Sequence, residues 1–252
     1  MEAEEGRGLP GRDDDSGIAC SEEEKVALMR TFVEGRDRAA KEVDNLMLRR
    51  FLRARDLDIE KASLLFLKYL NWKRTAVPNG FISEEEVRNE LSQKKIYMQG
   101  TDKAGHPIVV AFGAKHYSLH RHMDEFKNFV VYVLDRISSS MPAGQEKFTC
   151  IGDLKGWGYS NCDIRAYIAA LDIMQNCYPE RLGKIFLVHV PYLFMKTWKI
   201  IYPFIDKNTR KKFIFVEDKK LKATLLVDID ENQLPEIYGG RLPLVPIEES
   251  VI

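Results

Sequence analysis

The sequence predicts an α/β protein: a mostly parallel sheet covered by helices, preceded by a small helical lobe. Three observations carry that prediction. Apolar runs at 108–112, 148–153 and 185–190 are continuous, which suits strands buried on both faces. Stretches of helical period lie between them, at 124–139 and 163–176. The opening third has no strand-like run at all. The chain has 252 residues, 45% apolar and 30% charged, enough to bury one sizeable core without disulfides or a structural metal.

The elements follow in order. Residues 1–20, rich in Gly, Asp and Glu, have little to bury and are expected to form a disordered acidic tail. Ser21 heads the first helix, with acids in its first turn and Val26, Met29 and Val33 at helical spacing. A second helix is expected over 44–54, where Leu48, Phe51 and Leu52 form one face and arginines crowd the other. A third covers 59–75 and is stopped by Pro78-Asn79-Gly80. The lobe is thus placed at 21–90. A turn-forming string at 101–107 precedes the strand at 108–112. The last expected strand is 213–216, and residues 243–252 are taken as a C-terminal tail.

Charge and missing motifs narrow the function. Lysine plus arginine and aspartate plus glutamate balance at 38 each, which argues against nucleic acid as a partner. Residues 1–25 hold nine acids against three bases, so the rest of the chain is modestly basic and suited to an anionic surface. Four cysteines without a CxxC pair, and no apolar leader in this sequence, point to the cytoplasm. The longest nearly unbroken apolar run, 185–195, is too short to span a bilayer, so any membrane contact is peripheral. No dinucleotide, P-loop or nucleophile-elbow pattern is present, and Gly156-Trp157-Gly158 lacks the third glycine. His116, His120 and His122 lie close together, but beside Lys115 and Arg121 they read as a polar surface loop and not as a zinc site. No enzyme activity, cofactor or metal is expected.

Two segments stand out. Residues 192–205 read YLFMKTWKIIYPFI, where only Lys196, Thr197 and Lys199 are plainly polar. Such a helix is either buried in the core or a movable lid, with one face on an apolar cavity and the other meeting lipid when open. Just beyond, Asp206, Thr209 and Lys212 recur at intervals of three and can share a helix face. A carboxylate, a hydroxyl and cations together suit a polyhydroxylated, phosphorylated headgroup, although charge runs of this kind are more often solvated surface.

At this point a resemblance enters. LRRFLRAR at 48–55, TDKAGHP at 101–107, DLKG at 153–156, QNCYPER at 175–181 and LPEIYGG at 234–240 resemble, in order and spacing, the CRAL-TRIO domain in its phosphatidylinositol-transfer type. The match spans about residues 40–242, with the lipid-binding lobe at 91–242. The resemblance implies an apolar cavity that holds one phospholipid behind a gating helix, assigned to Phe194, Trp198, Ile201, Tyr202 and Phe204. It implies phosphatidylinositol as ligand, with Arg55, Glu180, Asp206, Thr209 and Lys212 at the headgroup. Further implied partners are a membrane surface, met transiently, and a phosphoinositide kinase. The sequence departs from the pattern where a second lipid is met in that type: Met98, Val109, Phe148 and Cys150 replace tyrosines and hydroxyl residues, so any alternate ligand is expected to have a more apolar head. A carrier of a tocopherol, retinoid or sterol is the alternative.

Enclosure follows from energetics. Each buried methylene is worth about 0.8 kcal/mol, so two chains of about 16 such groups are held in a bilayer by on the order of 25 kcal/mol. A carrier must therefore surround both tails, and must open to exchange them.

Overall fold

The computed structural model describes residues 20–118 and 122–250; the expected acidic tail and His120 lie outside the described residues, apart from Cys20. Helix α1, Glu22–Glu34, starts with a reciprocal cap: Ser21 Oγ accepts from Glu24 N at 3.2 Å, and the Glu24 carboxylate accepts from Ser21 N at 2.7 Å. Asp44 and Asp58 cap α2, Asn45–Arg53, and α3, Ile59–Ala76, by the side chain alone, accepting from Met47 N at 2.6 Å and Lys61 N at 3.0 Å. Phe51 of α2 meets Phe66 of α3 edge-on at 5.2 Å. A short helix α4, Arg88–Ser92, leads to the sheet.

Five strands lie in the order β1-β2-β3-β4-β5, where β1 is Ile96–Thr101, β2 Pro107–Phe112, β3 Phe148–Asp153, β4 Leu182–Val188 and β5 Phe213–Phe215. β1 is antiparallel to β2 and the other pairings are parallel. Helices α5, Met123–Ser139, α6, Ile164–Asn176, and α7, Tyr192–Ile201, alternate with the strands; α8, Lys207–Arg210, and α9, Leu221–Asp228, flank β5. Side-chain alternation divides the sheet. Ile108, Val110, Ile151, Phe186 and Val188 pack on one side against Leu225 and Ile229. Val109, Ala111, Phe148, Cys150, Gly152 and Leu187 face the opposite side, toward α5, α6 and α7. The core under α1–α3 continues without a break into α5 and this second sheet face.

Two elements lie outside the sequence expectations, and two expectations need correction. β1 was not anticipated, because Gln99-Gly100-Thr101 interrupts its apolar run and only Met98 of this strand is fully buried. α9 was not anticipated either: its lysine-rich start and exposed Val227 hide the single fully buried residue, Leu225. Residues 243–252, read as a tail, pair with β1 as far as they are described. Met98 N donates to Val245 O at 3.0 Å and Ile247 N to Ile96 O at 3.2 Å, while Arg136 Nη2 donates to the carbonyls of Ile247, Glu248 and Ser250. The segment covers what would otherwise be an open sheet edge. β4 also begins three residues before the expected 185, because Gly183 and Lys184 mask its start.

The β1–β2 turn is organised by Asp102, whose carboxylate accepts from Thr149 Oγ1 at 2.7 Å, His106 Nδ1 at 2.9 Å and the amides of Ala104 and His106. Burial pushes this carboxyl up, but the hydrogen bonds from Thr149 and His106 outweigh it and leave the group below the usual aspartate value. The stability it contributes is therefore complete above the unfolded-state value of about 3.9 and lost as pH falls through the lower native value. Asp102→Asn is expected to cost about 1–3 kcal/mol in urea unfolding at pH 7 and markedly less at pH 2.5; an equal loss at both values contradicts this account.

Candidate functional site: an apolar cavity with a polar cleft at its mouth

The second sheet face is not packed solid. Between it and helices α5, α6 and α7 lies a cavity of about 360 Å³, walled by Val109, Val133, Phe148, Cys150 and Leu187 among others and roofed by Phe194, Trp198 and Ile201. That volume is within the range of about 300–1,000 Å³ usual for ligand sites. The small residues Ala111 and Gly152 form part of the sheet floor of the cavity, and the Leu187 side chain takes the space over Gly152. At Gly152 even a methyl group would press on the Leu187 side chain at 2.9 Å.

Helix α7 has two faces. Phe194, Thr197 and Ile201 are buried on the inner one, with Phe194 against the Trp157 ring at 5.3 Å, and Trp198 meets Phe213 at a tilt and Phe215 edge-on, at 4.7 and 5.2 Å. The outer face carries Tyr192, 82% exposed, Ile200, 51% exposed, and the exposed Lys196 and Lys199. Of the two readings of 192–205, the wholly buried helix does not hold. Tyr202 and Phe204, both expected on the gate, lie in the following single turn Tyr202–Phe204 and are exposed at 41% and 51%. Arg210 stands over the Tyr202 ring at 4.4 Å, and Phe204 O accepts from Gln175 Nε2 at 3.1 Å, tying that end down. Among the described residues, no helix is long and apolar enough to cross a membrane.

All five residues expected at a headgroup come together in one cleft of about 90 Å³: Arg55, Glu180, Asp206, Thr209 and Lys212. They reach it from four separate places in the chain. Arg55 follows α2 and donates to Ala54 O at 2.8 Å and to Asn176 Oδ1 at 3.1 Å, so it also tethers the helical part to α6. Glu180 precedes β4 and lies 3.4 Å from Lys212 Nζ. The expectation of one shared helix face for Asp206, Thr209 and Lys212 is corrected: α8 is a single turn. Asp206 is its cap, with Oδ1 accepting from Asn208 N and Thr209 N, and Lys212 lies past its end at the start of β5. The three converge through this tight reversal instead. Leu171, Met174, Leu182 and Phe213 line both the cleft and the cavity, so the polar cleft adjoins the apolar space across these side chains.

Glu180 has a φ of 57°, in the left-handed region that costs a side-chain-bearing residue about 1–2 kcal/mol. The fold maintains this strain to point a carboxylate at Lys212.

The positions where hydroxyl groups are replaced are all buried. Val109, Phe148 and Cys150 line the cavity, while Met98 packs in the core beside Ser140 and outside the cavity wall. Burial pushes the Cys150 thiol up to about 12, so this wall is uncharged. His116 departs from the surface-loop reading: it is 6% exposed, because the single turn Gly113–Lys115 swings it inward to the cavity end beside Lys95. Its polar neighbours in sequence concealed this. His122 is exposed, as a loop residue should be.

A family model described as the CRAL/TRIO domain matches residues 91–240. The chain belongs to the CRAL/TRIO family. Relatives of this CRAL/TRIO protein include the CRAL-TRIO domain-containing protein YKL091C of Saccharomyces cerevisiae, 29% identical over 92% of this chain and 81% of that one. The SEC14 cytosolic factor of Kluyveromyces lactis is 28% identical over 79% of this chain and 71% of its own length. The phosphatidylinositol transfer protein CSR1 of Eremothecium gossypii is 27% identical, and the match spans 79% of this chain and 47% of that one. The crystal structure of Sfh5 superposes with a TM-score of 0.71 over 96% of this chain and 93% of that one at 19% identity, a likeness of fold. The five-stranded, mostly parallel α/β architecture is thus that of a lipid-binding and lipid-transfer family.

The strain at Glu180 yields a stability prediction. Glu180→Gly is expected to unfold at least about 1 kcal/mol later than Glu180→Ala, since glycine takes the left-handed conformation freely and alanine does not. Identical urea midpoints for the two variants would show that no strain resides there.

Proposed function

We propose that this protein binds phosphatidylinositol, carries it between membranes or presents it, and does so without catalysing a reaction. The observation that carries the reading is that the Arg55, Glu180, Asp206, Thr209 and Lys212 cleft lies against the roofed apolar cavity and shares four apolar lining residues with it. Arg55 and Lys212 supply donors for phosphate, Glu180 and Asp206 acceptors for inositol hydroxyls, and Thr209 serves as either. Their charges balance, which suits a sugar phosphate better than a bare anion. The diacyl tails lie beneath α7, shielded from water by Phe194, Trp198 and Ile201.

Exchange requires α7 to swing away. Its outer Tyr192 and Ile200 enter the interface while Lys196 and Lys199 meet anionic headgroups, so docking and opening are one event. The protein works from the cytosol, touches membranes only transiently and offers its lipid to a phosphoinositide kinase. A second reading, a carrier of another hydrophobic ligand of tocopherol, retinoid or sterol type, draws support from the apolar Val109, Phe148 and Cys150 wall. An alternate ligand there has an apolar head, and phosphatidylcholine is not expected.

Mass spectrometry of lipids extracted with the purified protein tests both readings. Phosphatidylinositol is expected in the wild type, and at least about tenfold less in Lys212→Ala, which removes a charge-assisted hydrogen bond worth about 1.5–3 kcal/mol. Equal loading of wild type and variant refutes the cleft. For the roof, Trp198→Asp is expected to slow transfer between anionic vesicles, measured by fluorescent lipid dequenching; unchanged transfer removes α7 from the mechanism.

A further inference from the structure

The cavity has a second polar end. Its mouth is near Leu182 at the start of β4, and its other end lies past the carboxyl ends of the strands, where Lys95 and His116 border it. β4, seven residues that run from the mouth toward this end, is about 20 Å long. Lys95 and His116 are 5% and 6% exposed. Lys95 Nζ donates to the Glu90 carboxylate, to Gln93 Oε1 at 3.1 Å and to His116 Nδ1 at 3.2 Å, and His116 Nε2 faces Asp163 Oδ2 at 3.3 Å. Phe129 and Phe126 lie beneath the ammonium, at 4.9 and 5.6 Å.

A buried ammonium is an expensive way to finish an apolar wall. Removing it from water costs several kcal/mol, and apolar residues of the same volume usually hold a fold as well or better. Burial pulls the Lys95 amine below its ordinary value, against the upward push of Glu90. The other nearby polar groups are turned on each other: Trp157 Nε1 donates to Tyr167 Oη, which donates to Asn161 O.

We propose that this deep end is a second recognition point, at which Lys95 donates a hydrogen bond to an uncharged oxygen, hydroxyl or carbonyl, carried on the hydrocarbon skeleton of the ligand. The charge count selects that chemistry. Glu90, 2% exposed, already neutralises Lys95, and the buried Asp163 beside His116 is a second carboxylate at this end, so a carboxylate or phosphate on the ligand would add further negative charge in a dry site. Gln93 is a neutral, half-buried acceptor, and a ligand oxygen takes its place with no change in charge. A saturated acyl chain cannot do this. Two sources of such an oxygen suit a cavity beside a strand about 20 Å long: a single-headed alcohol on a rigid skeleton, or a phospholipid with an oxygenated acyl chain whose headgroup stays in the cleft. The site depends on the cavity and not on the headgroup reading.

The test is displacement of a fluorescent polyene fatty acyl lipid from the purified full-length protein by matched pairs. One pair is cholesterol against 5-cholestene, the same skeleton without the hydroxyl. The other is phosphatidylinositol bearing a 12-hydroxystearoyl chain against the stearoyl form. At least one oxygenated member is expected to displace the probe about tenfold better than its partner. A sterol preference that survives Lys212→Ala identifies a single-headed ligand; a hydroxystearoyl preference abolished by it identifies a phospholipid. Lys95→Met combined with Glu90→Gln keeps the charge balance and is expected to erase the preference at unchanged melting temperature. Wild-type protein that discriminates neither pair by more than roughly twofold overturns the proposal without recourse to any variant, as does a folded double variant that keeps the preference.

Discussion

Hydrocarbon must be kept from water on every side, and the architecture follows from that demand. A parallel sheet has two apolar faces to cover. On the side of Ile108, Val110 and Phe186 the cover is ordinary close packing by Leu225, Ile229 and Leu234. On the opposite side the helices arch over a floor that includes Ala111 and Gly152, and the walls are completed by a helix that packs by its inner face. A void of this size forfeits contacts that a solid core would have. The loss is tolerable for a chain whose core is continuous through α1–α3 and α5, and it is recovered when a ligand fills the space.

The same constraint explains the composition of α7. A helix buried on both sides has no reason to expose Tyr192 and Ile200, and one that only faces water has no reason to carry them. Under the proposed function, an outer face that shows Tyr192 and Ile200 beside Lys196 and Lys199 suits an element that alternates between water and an anionic interface. Its end is held by Arg210 over Tyr202 and by Gln175, which bonds both Phe204 O and the amide of the cleft residue Asp206; under the proposed function this contact links the roof to the headgroup cleft.

Among the described residues that line the chamber and its cleft, the charged groups sit at the two ends. At the mouth, the cleft is built on strained or tightly turned backbone: Glu180 in the left-handed region, and Asp206 bound to two amides of its own turn. At the far end, Lys95 and His116 are held by Glu90 and Asp163. Placing the charged groups at the extremes leaves the length of the chamber free for hydrocarbon.

Local pattern determined a great deal here. Caps at Ser21, Asp44 and Asp58, strands at 107–112 and 148–153, and helices α5 and α6 are written in spacing and capping chemistry that act over one or two turns. The unusual composition of 192–205 marked the roof, and ordered motifs marked the five cleft residues. What only the tertiary structure decided involves partners far apart in the chain. β1 forms because β2 and residues 245–247 flank it, not because its own sequence demands a strand. Asp206, Thr209 and Lys212 meet through a reversal and not along a helix. His116 is buried beside Lys95, 21 residues away, although every neighbour in sequence suggests a surface loop. Sequence periodicity records which face of an element is apolar; whether a polar residue turns inward depends on charges that distant segments bring to it.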